Sequence, residues 1–210
     1  MTETEWLETN DTQEMVPVIA THSERRLRLL ACAVCASFEK YISDQRAREA
    51  VEASCLYADG LISADEFESA SAAASDAYTE AFRADIQPAR SVALYACELA
   101  ATAGIEDWHL QDIFRAGGEL TSDSDVAFWI REIVGNPFRD AECADEWRTD
   151  TVLAVARRAY DAREFGALPV LADALQDAGC DSADLLDHLR DPHAEHVRGC
   201  WALDLVLGKE

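Results

Sequence analysis

The sequence predicts an all-α protein, a two-lobed bundle of helical hairpins, on three observations. Apolar residues recur every three or four positions, Gly and Pro are few and fall mostly where helices would have to stop, and strand-like alternation is nearly absent. The 210 residues allow one large helical domain or two small ones, and 49% hydrophobic content is ample for a buried core.

The clearest helix begins at Ser23, an N-cap, and carries Leu27, Leu30, Ala31, Val34, Phe38 and Tyr41 along one stripe. Asp44 caps the next, in which Ala47, Val51, Cys55 and Ala58 recur until Gly60 ends it, so the two read as a helical hairpin. Ser63-Ala64-Asp65-Glu66 is a capping box that starts a long Ala/Ser-rich helix to about Ile86, with a thin face of Phe67, Ala70, Ala74, Ala77 and Ala81. Pro88 suits the first turn of a helix running to about Ala103, where Gly104 stops it. Residues 104–125 hold Gly117-Gly118 and the polar run Thr121-Ser122-Asp123-Ser124, the expected hinge. It separates an N-terminal lobe, 1–118 with an Ala-rich variable segment 61–103, from a C-terminal lobe, 119–210.

In the second lobe, Val126–Val134 reads as a helix closed by Gly135-Asn136-Pro137. Thr149 precedes a helix with Val152, Val155, Ala156, Ala159 and Tyr160 on one side; Pro169 opens another lined by Leu168, Leu171, Ala172 and Leu175. Ser182 caps a short helix through Leu185, Leu186 and Leu189, and the dense apolar run from Cys200 to Leu207 is read as helix rather than buried strand.

Forty-one acidic residues against 18 basic ones give a formal charge of −23, which disfavours direct contact with nucleic acid or anionic membranes. Glu3, Glu5, Glu8, Asp11 and Glu14 have no Lys or Arg beside them in the first 20 residues, a segment expected to be solvated. No basic start leads into an apolar run and no stretch nears the ~18 consecutive apolar residues of a membrane span, so a cytoplasmic location is expected. Seven scattered cysteines, an odd number, fit reduced thiols that pack as small hydrophobes.

Chemistry concentrates near the C-terminus. Cys180, His188, His196 and Cys200 form Cys-x7-His-x7-His-x3-Cys, a donor set that zinc prefers although it lacks a Cys-x2-Cys knuckle; His193 is a further donor, and packing or capping is the competing role. Cys200 and His196 also stand one helical turn apart as a nucleophile pair, with nothing to orient it. Cys32 and Cys35 share a face in mid-helix, where core packing outweighs redox or metal chemistry. Arg25, Arg26 and Arg28 form a compact basic patch, either a solvated helix face or a docking site for an acidic partner. The common enzyme signatures are missing, which argues against an enzyme.

Met1-Thr2-Glu3-Thr4-Glu5-Trp6-Leu7, the run 23–32, Arg131–Arg139 with its Gly-Asn-Pro-Phe-Arg, Leu168–Leu175 with Gly179-Cys180, His196–Trp201 and the ending Leu207-Gly208-Lys209-Glu210 resemble a large uncharacterised paralogous family of planctomycete-type bacteria. The likeness covers about two thirds of the chain, leaves out residues 61–125, and implies no activity. Ala172–Gly179 is weakly similar to the short repeat-companion module found beside repeat proteins, which implies an adaptor role. Among the motif residues, Asp173 and Arg198 are expected to form a buried charge-assisted bond between elements. The resulting expectation is a non-enzymatic acidic helical module that recognises a basic protein partner. A zinc-stabilised domain using the C-terminal Cys and His residues is the alternative, followed by an enzyme of unrecognised type.

Overall fold

A computed structural model describes residues 1–84, 87–192 and 194–209; among these, twelve α-helices form and no strand does. Ile86, the expected end of the Ala-rich helix, and His193 lie outside the described residues. The chain divides into two compact units, Met1–Arg131 and Glu132–Glu210.

The first unit holds α1 (Glu3–Glu8), α2 (Thr12–Ile19), α3 (Glu24–Ser37), α4 (Gln45–Ala58), α5 (Ala64–Arg83), α6 (Pro88–Ala100), α7 (Asp107–Leu120) and most of α8 (Asp123–Val134). Its centre is α3, in which every residue from Leu27 to Cys35 is buried and which packs against α4, α6 and α7. A helix apolar on nearly all sides has to lie inside a bundle. Ser63 and Glu66 form the capping box that starts α5, and Pro88 opens α6, as their sequence signals require.

Four local expectations are corrected. The acidic first segment is not merely solvated: Thr2 and Asp11 cap α1 and α2, and Trp6, Met15, Val16 and Ile19 are buried. The acids point outward while a sparse apolar set points in, a pattern too short for periodicity to register. Arg131 then ties α1 down by donating to the Trp6 carbonyl at 3.0 and 2.8 Å, and to that of Thr9. The α3 stripe ends early, because Tyr41 falls in a 3-10 turn, Glu39–Tyr41, after the helix closes at Ser37.

The buried face of α4 is Ala47, Ala50 and Ser54, rotated from the expected one, and leaves Val51 and Cys55 half-buried. The rotation places the Ser54 hydroxyl inside, where it donates to the Ala100 carbonyl at 2.7 Å and accepts from Arg28. A buried serine with two partners is satisfied, and apolar counting does not see it.

Residues 104–125 are no hinge. They contain α7, whose Leu110, Ile113 and Phe114 are fully buried, and the units part inside α8 rather than at residues 118 and 119. Gly117 serves close helix packing: a Cβ there would meet Val126 Cγ2 at 2.7 Å and Val34 Cγ1 at 2.8 Å. Gly117→Ala is therefore expected to destabilise the first unit by about 1–3 kcal/mol through overpacking, despite alanine's better helix propensity. Urea unfolding measures it, and an unchanged midpoint would refute it.

His109 adds a pH dependence. It is buried, and its Nδ1 accepts the Glu106 amide hydrogen at 2.9 Å, closing the start of α7. Burial lowers its pKa from the ordinary 6.5, against the opposing pull of the Glu106 carboxylate. A depressed histidine contributes stability that is complete above 6.5 and lost as pH falls through the lowered folded value. The contribution should be about 1 kcal/mol, as for other caps. Urea midpoints measured from pH 7.5 downward should decline below 6.5, and less steeply in His109→Gln.

The second unit comprises the end of α8, α9 (Asp150–Ala162), α10 (Leu168–Asp177), α11 (Ala183–Arg190) and α12 (Trp201–Leu207). Its core joins Val152, Ala156 and Tyr160 to Leu168, Leu171, Leu175, Leu185, Leu189, Leu203 and Val206. These are the expected stripes, and the terminal run is helix.

Candidate metal centre

Four side chains of the second unit bring donor atoms together: Glu132, His188, His196 and Cys200 offer one atom each, all within 4.8 Å of one another. Glu132 stands in the last turn of α8, His188 on α11, His196 in the connection before α12, and Cys200 at the N-cap of α12. Each is placed by local chemistry. Gly135, at φ +75°, ends α8. Leu185, Leu186 and Leu189 bury the inner face of α11 and so set which way His188 projects.

The spacings are close to those of a coordination shell, with the widest pair of single donor atoms within 4.8 Å. His188 Nε2 lies 3.2 Å from Cys200 Sγ and 3.3 Å from Glu132 Oε2; His196 Nδ1 lies 3.0 Å from Glu132 Oε1 and 3.8 Å from Cys200 Sγ. Ligands about 2.0–2.3 Å from a zinc ion at tetrahedral angles stand about 3.3–3.6 Å apart. The Trp201 ring lies against the His188 imidazole, centroids 5.0 Å apart, and a Cβ on Gly135 would come within 2.9 Å of that indole. Glycine at 135 thus allows both the left-handed turn and the close approach of Trp201.

The electrostatics ask for a cation. The Glu132 and His196 side chains are 1% and 6% exposed, and Cys200 is fully buried. Burial, reinforced by the Glu132 carboxylate, pushes the Cys200 thiol well above its ordinary range, and burial lowers the His188 pKa. A buried carboxylate facing two imidazoles and a thiol is costly unless positive charge reaches it. A divalent ion would balance one carboxylate and one thiolate, leaving a neutral site with two neutral imidazoles. Without that ion, Cys200 is a protonated, inaccessible thiol, which argues against the Cys200–His196 nucleophile pair.

Of the residues expected to bind metal, His188, His196 and Cys200 come together and Cys180 does not. Cys180 is buried in the hydrophobic core of the unit, its pKa raised by burial. Glu132 takes the fourth place. Its sequence signal is faint: a carboxylate in the last turn of a helix opposes the macrodipole.

The other expected site residues are also placed differently. Asp173 and Arg198 do not pair; the Asp173 side chain is 73% exposed and accepts from Arg190 at 2.8 Å, while the Arg198 guanidinium lies 5.1 Å from the Tyr160 ring centroid. Leu171, Ala172 and Leu175 take the inner face of α10, which turns Asp173 to solvent. Arg25, Arg26 and Arg28 do not make an open docking patch. Arg28 is buried, Arg25 is bound to the buried Asp59 carboxylate at 3.0 Å, and Arg26 lies 3.4 Å from His22 Nδ1.

Compared with known proteins, the chain matches no family model, no curated protein and no solved structure.

Proposed function

We propose that the protein is a zinc-stabilised helical protein whose second unit binds one zinc ion through Glu132, His188, His196 and Cys200. The observation that carries this reading is the convergence of four donors of mixed N, S and O type, two buried and two half-buried, within 4.8 Å of one another. Imidazole and thiolate select zinc over calcium or magnesium, which take oxygen ligands. Four protein ligands fill a tetrahedral shell, so the role is structural: the ion fastens the end of α8, α11 and the start of α12 to one point. Catalysis would need an open fourth position for water or substrate.

The test is metal content by native mass spectrometry on the full chain, stripped with a chelator and then given zinc. One zinc per chain is expected, lost in Glu132→Gln and in Cys200→Ser, and retained in Cys180→Ser. Cobalt should give the intense visible bands of a tetrahedral site with a sulfur-to-metal transition. A chain that takes up no zinc, or takes it up equally without Glu132 and Cys200, would overturn the reading.

A further inference from the structure

A second group of sulfurs lies in the first unit and is independent of the metal centre. We infer that Cys32 and Cys55 are an oxidisable thiol pair, closing to a disulfide between α3 and α4 under a hydroperoxide. Cys32 Sγ sits 3.5 Å from the Val51 carbonyl oxygen. In an α-helix that oxygen accepts the amide hydrogen of residue 55, so the Cys32 sulfur lies beside Cys55. The Cys55 thiol donates to the Cys32 sulfur.

The two thiols divide the work. Cys55 is half-buried and open to a small oxidant, whereas Cys32 is 2% exposed. The Cys55 contact, aided by the Arg28 guanidinium one turn earlier on α3, holds the Cys32 thiol below its ordinary range. Arg28 is itself clamped on the Thr102 and Ala103 carbonyls, so its charge stays near that sulfur. A stabilised thiolate beside a more accessible thiol is the arrangement of an oxidation-sensitive pair. Cys35 and Cys97 form a contrasting pair: both are fully buried, and the Cys97 contact and burial push Cys35 well up.

With hydrogen peroxide the Cys55 sulfur attacks one peroxide oxygen as its proton passes to the Cys32 sulfur; an S–O bond forms, the O–O bond breaks, and the hydroxide that leaves takes that proton from Cys32 to become water. The Cys32 thiolate then attacks the Cys55 sulfur, the S–S bond forms, the S–O bond breaks and a second hydroxide leaves as water. Two thiols give up two electrons and two protons, and one peroxide becomes two waters.

The full chain is treated with hydrogen peroxide, quenched with catalase, alkylated and mapped without reduction by mass spectrometry. The expected result is a peptide pair joined through Cys32 and Cys55, two hydrogens lighter and separated by dithiothreitol. Cys55→Ser should abolish it; Cys32→Ser should leave a sulfenic acid at Cys55 that dimedone traps; Cys35→Ser should leave the pair intact. Circular dichroism establishes that each serine variant retains its helices, with the alanine variant used wherever serine does not. Cys55 oxidised without cross-linking to Cys32, no oxidation at either cysteine, or a cross-link formed equally by another pair, would sink the inference.

Discussion

Replacing Arg28 with methionine is expected to destabilise the first unit by about 2–4 kcal/mol, the cost of taking a buried guanidinium away from the neutral acceptors it satisfies. The Arg28 side chain is 1% exposed. Its guanidinium donates to the Thr102 carbonyl at 2.8 Å, the Ala103 carbonyl at 3.0 Å, the Ser54 hydroxyl at 3.4 Å and the Glu24 carboxylate at 2.6 Å, and lies 4.8 Å from the Phe67 ring centroid. The half-buried Thr102 carbonyl and the buried Ser54 hydroxyl therefore lose a donor, at about 1–3 kcal/mol for each group left unsatisfied, whereas water can reach the exposed Ala103. The Glu24 contribution is small, because that carboxylate is 57% exposed and water screens the pair. Arg28→Lys should recover only part of the loss, since an ammonium cannot serve several acceptors with a planar fork. Urea unfolding measures both variants. A loss below about 1 kcal/mol in Arg28→Met would show that the carbonyls find other donors.

Zinc is expected to have an effect of similar size on the second unit. At a free concentration about a thousand times its dissociation constant, an ion that binds only the folded state adds about 4 kcal/mol to unfolding. Thermal unfolding of metal-stripped protein should therefore move to higher temperature with zinc and not with magnesium. Glu132→Gln and Cys200→Ser should remove the zinc-dependent increment. Both variants should nevertheless keep the helical circular dichroism of the metal-stripped wild type. An equal zinc response in wild type and both variants would place the ion elsewhere.

The caps show how much of the fold was written locally. Ser23, Asp44, Ser63 and Thr149 each accept from an amide within three residues, so the signal and its structural partner sit in one short stretch of sequence. The stripes of α9, α10 and α11 are equally local. Where a polar residue went inside, periodicity misled: Ser54 and Arg28 are interior because they satisfy each other and backbone carbonyls from α6 and its exit. The glycine pair of α7 misled for a related reason, since close packing and flexibility call for the same residue.

Three of the four metal donors were legible because His188, His196 and Cys200 lie close together in sequence and carry the chemistry zinc selects. The fourth was not, since Cys180 is the more familiar ligand and stands only eight positions before His188. Glu132 is 64 positions from His196, and which face of α8 it occupies depends on how α8 packs.

By itself the sequence determined that this chain is helical, where most helices begin, and which apolar residues they hide, because helix periodicity and capping act over three to seven residues. Tertiary structure alone decided which polar groups share the interior, and so which carboxylate meets the imidazoles and thiol and which arginine is buried. The physical reason is that a buried charge or thiol is tolerated only where partners from distant segments arrive, and no local pattern records who those partners are.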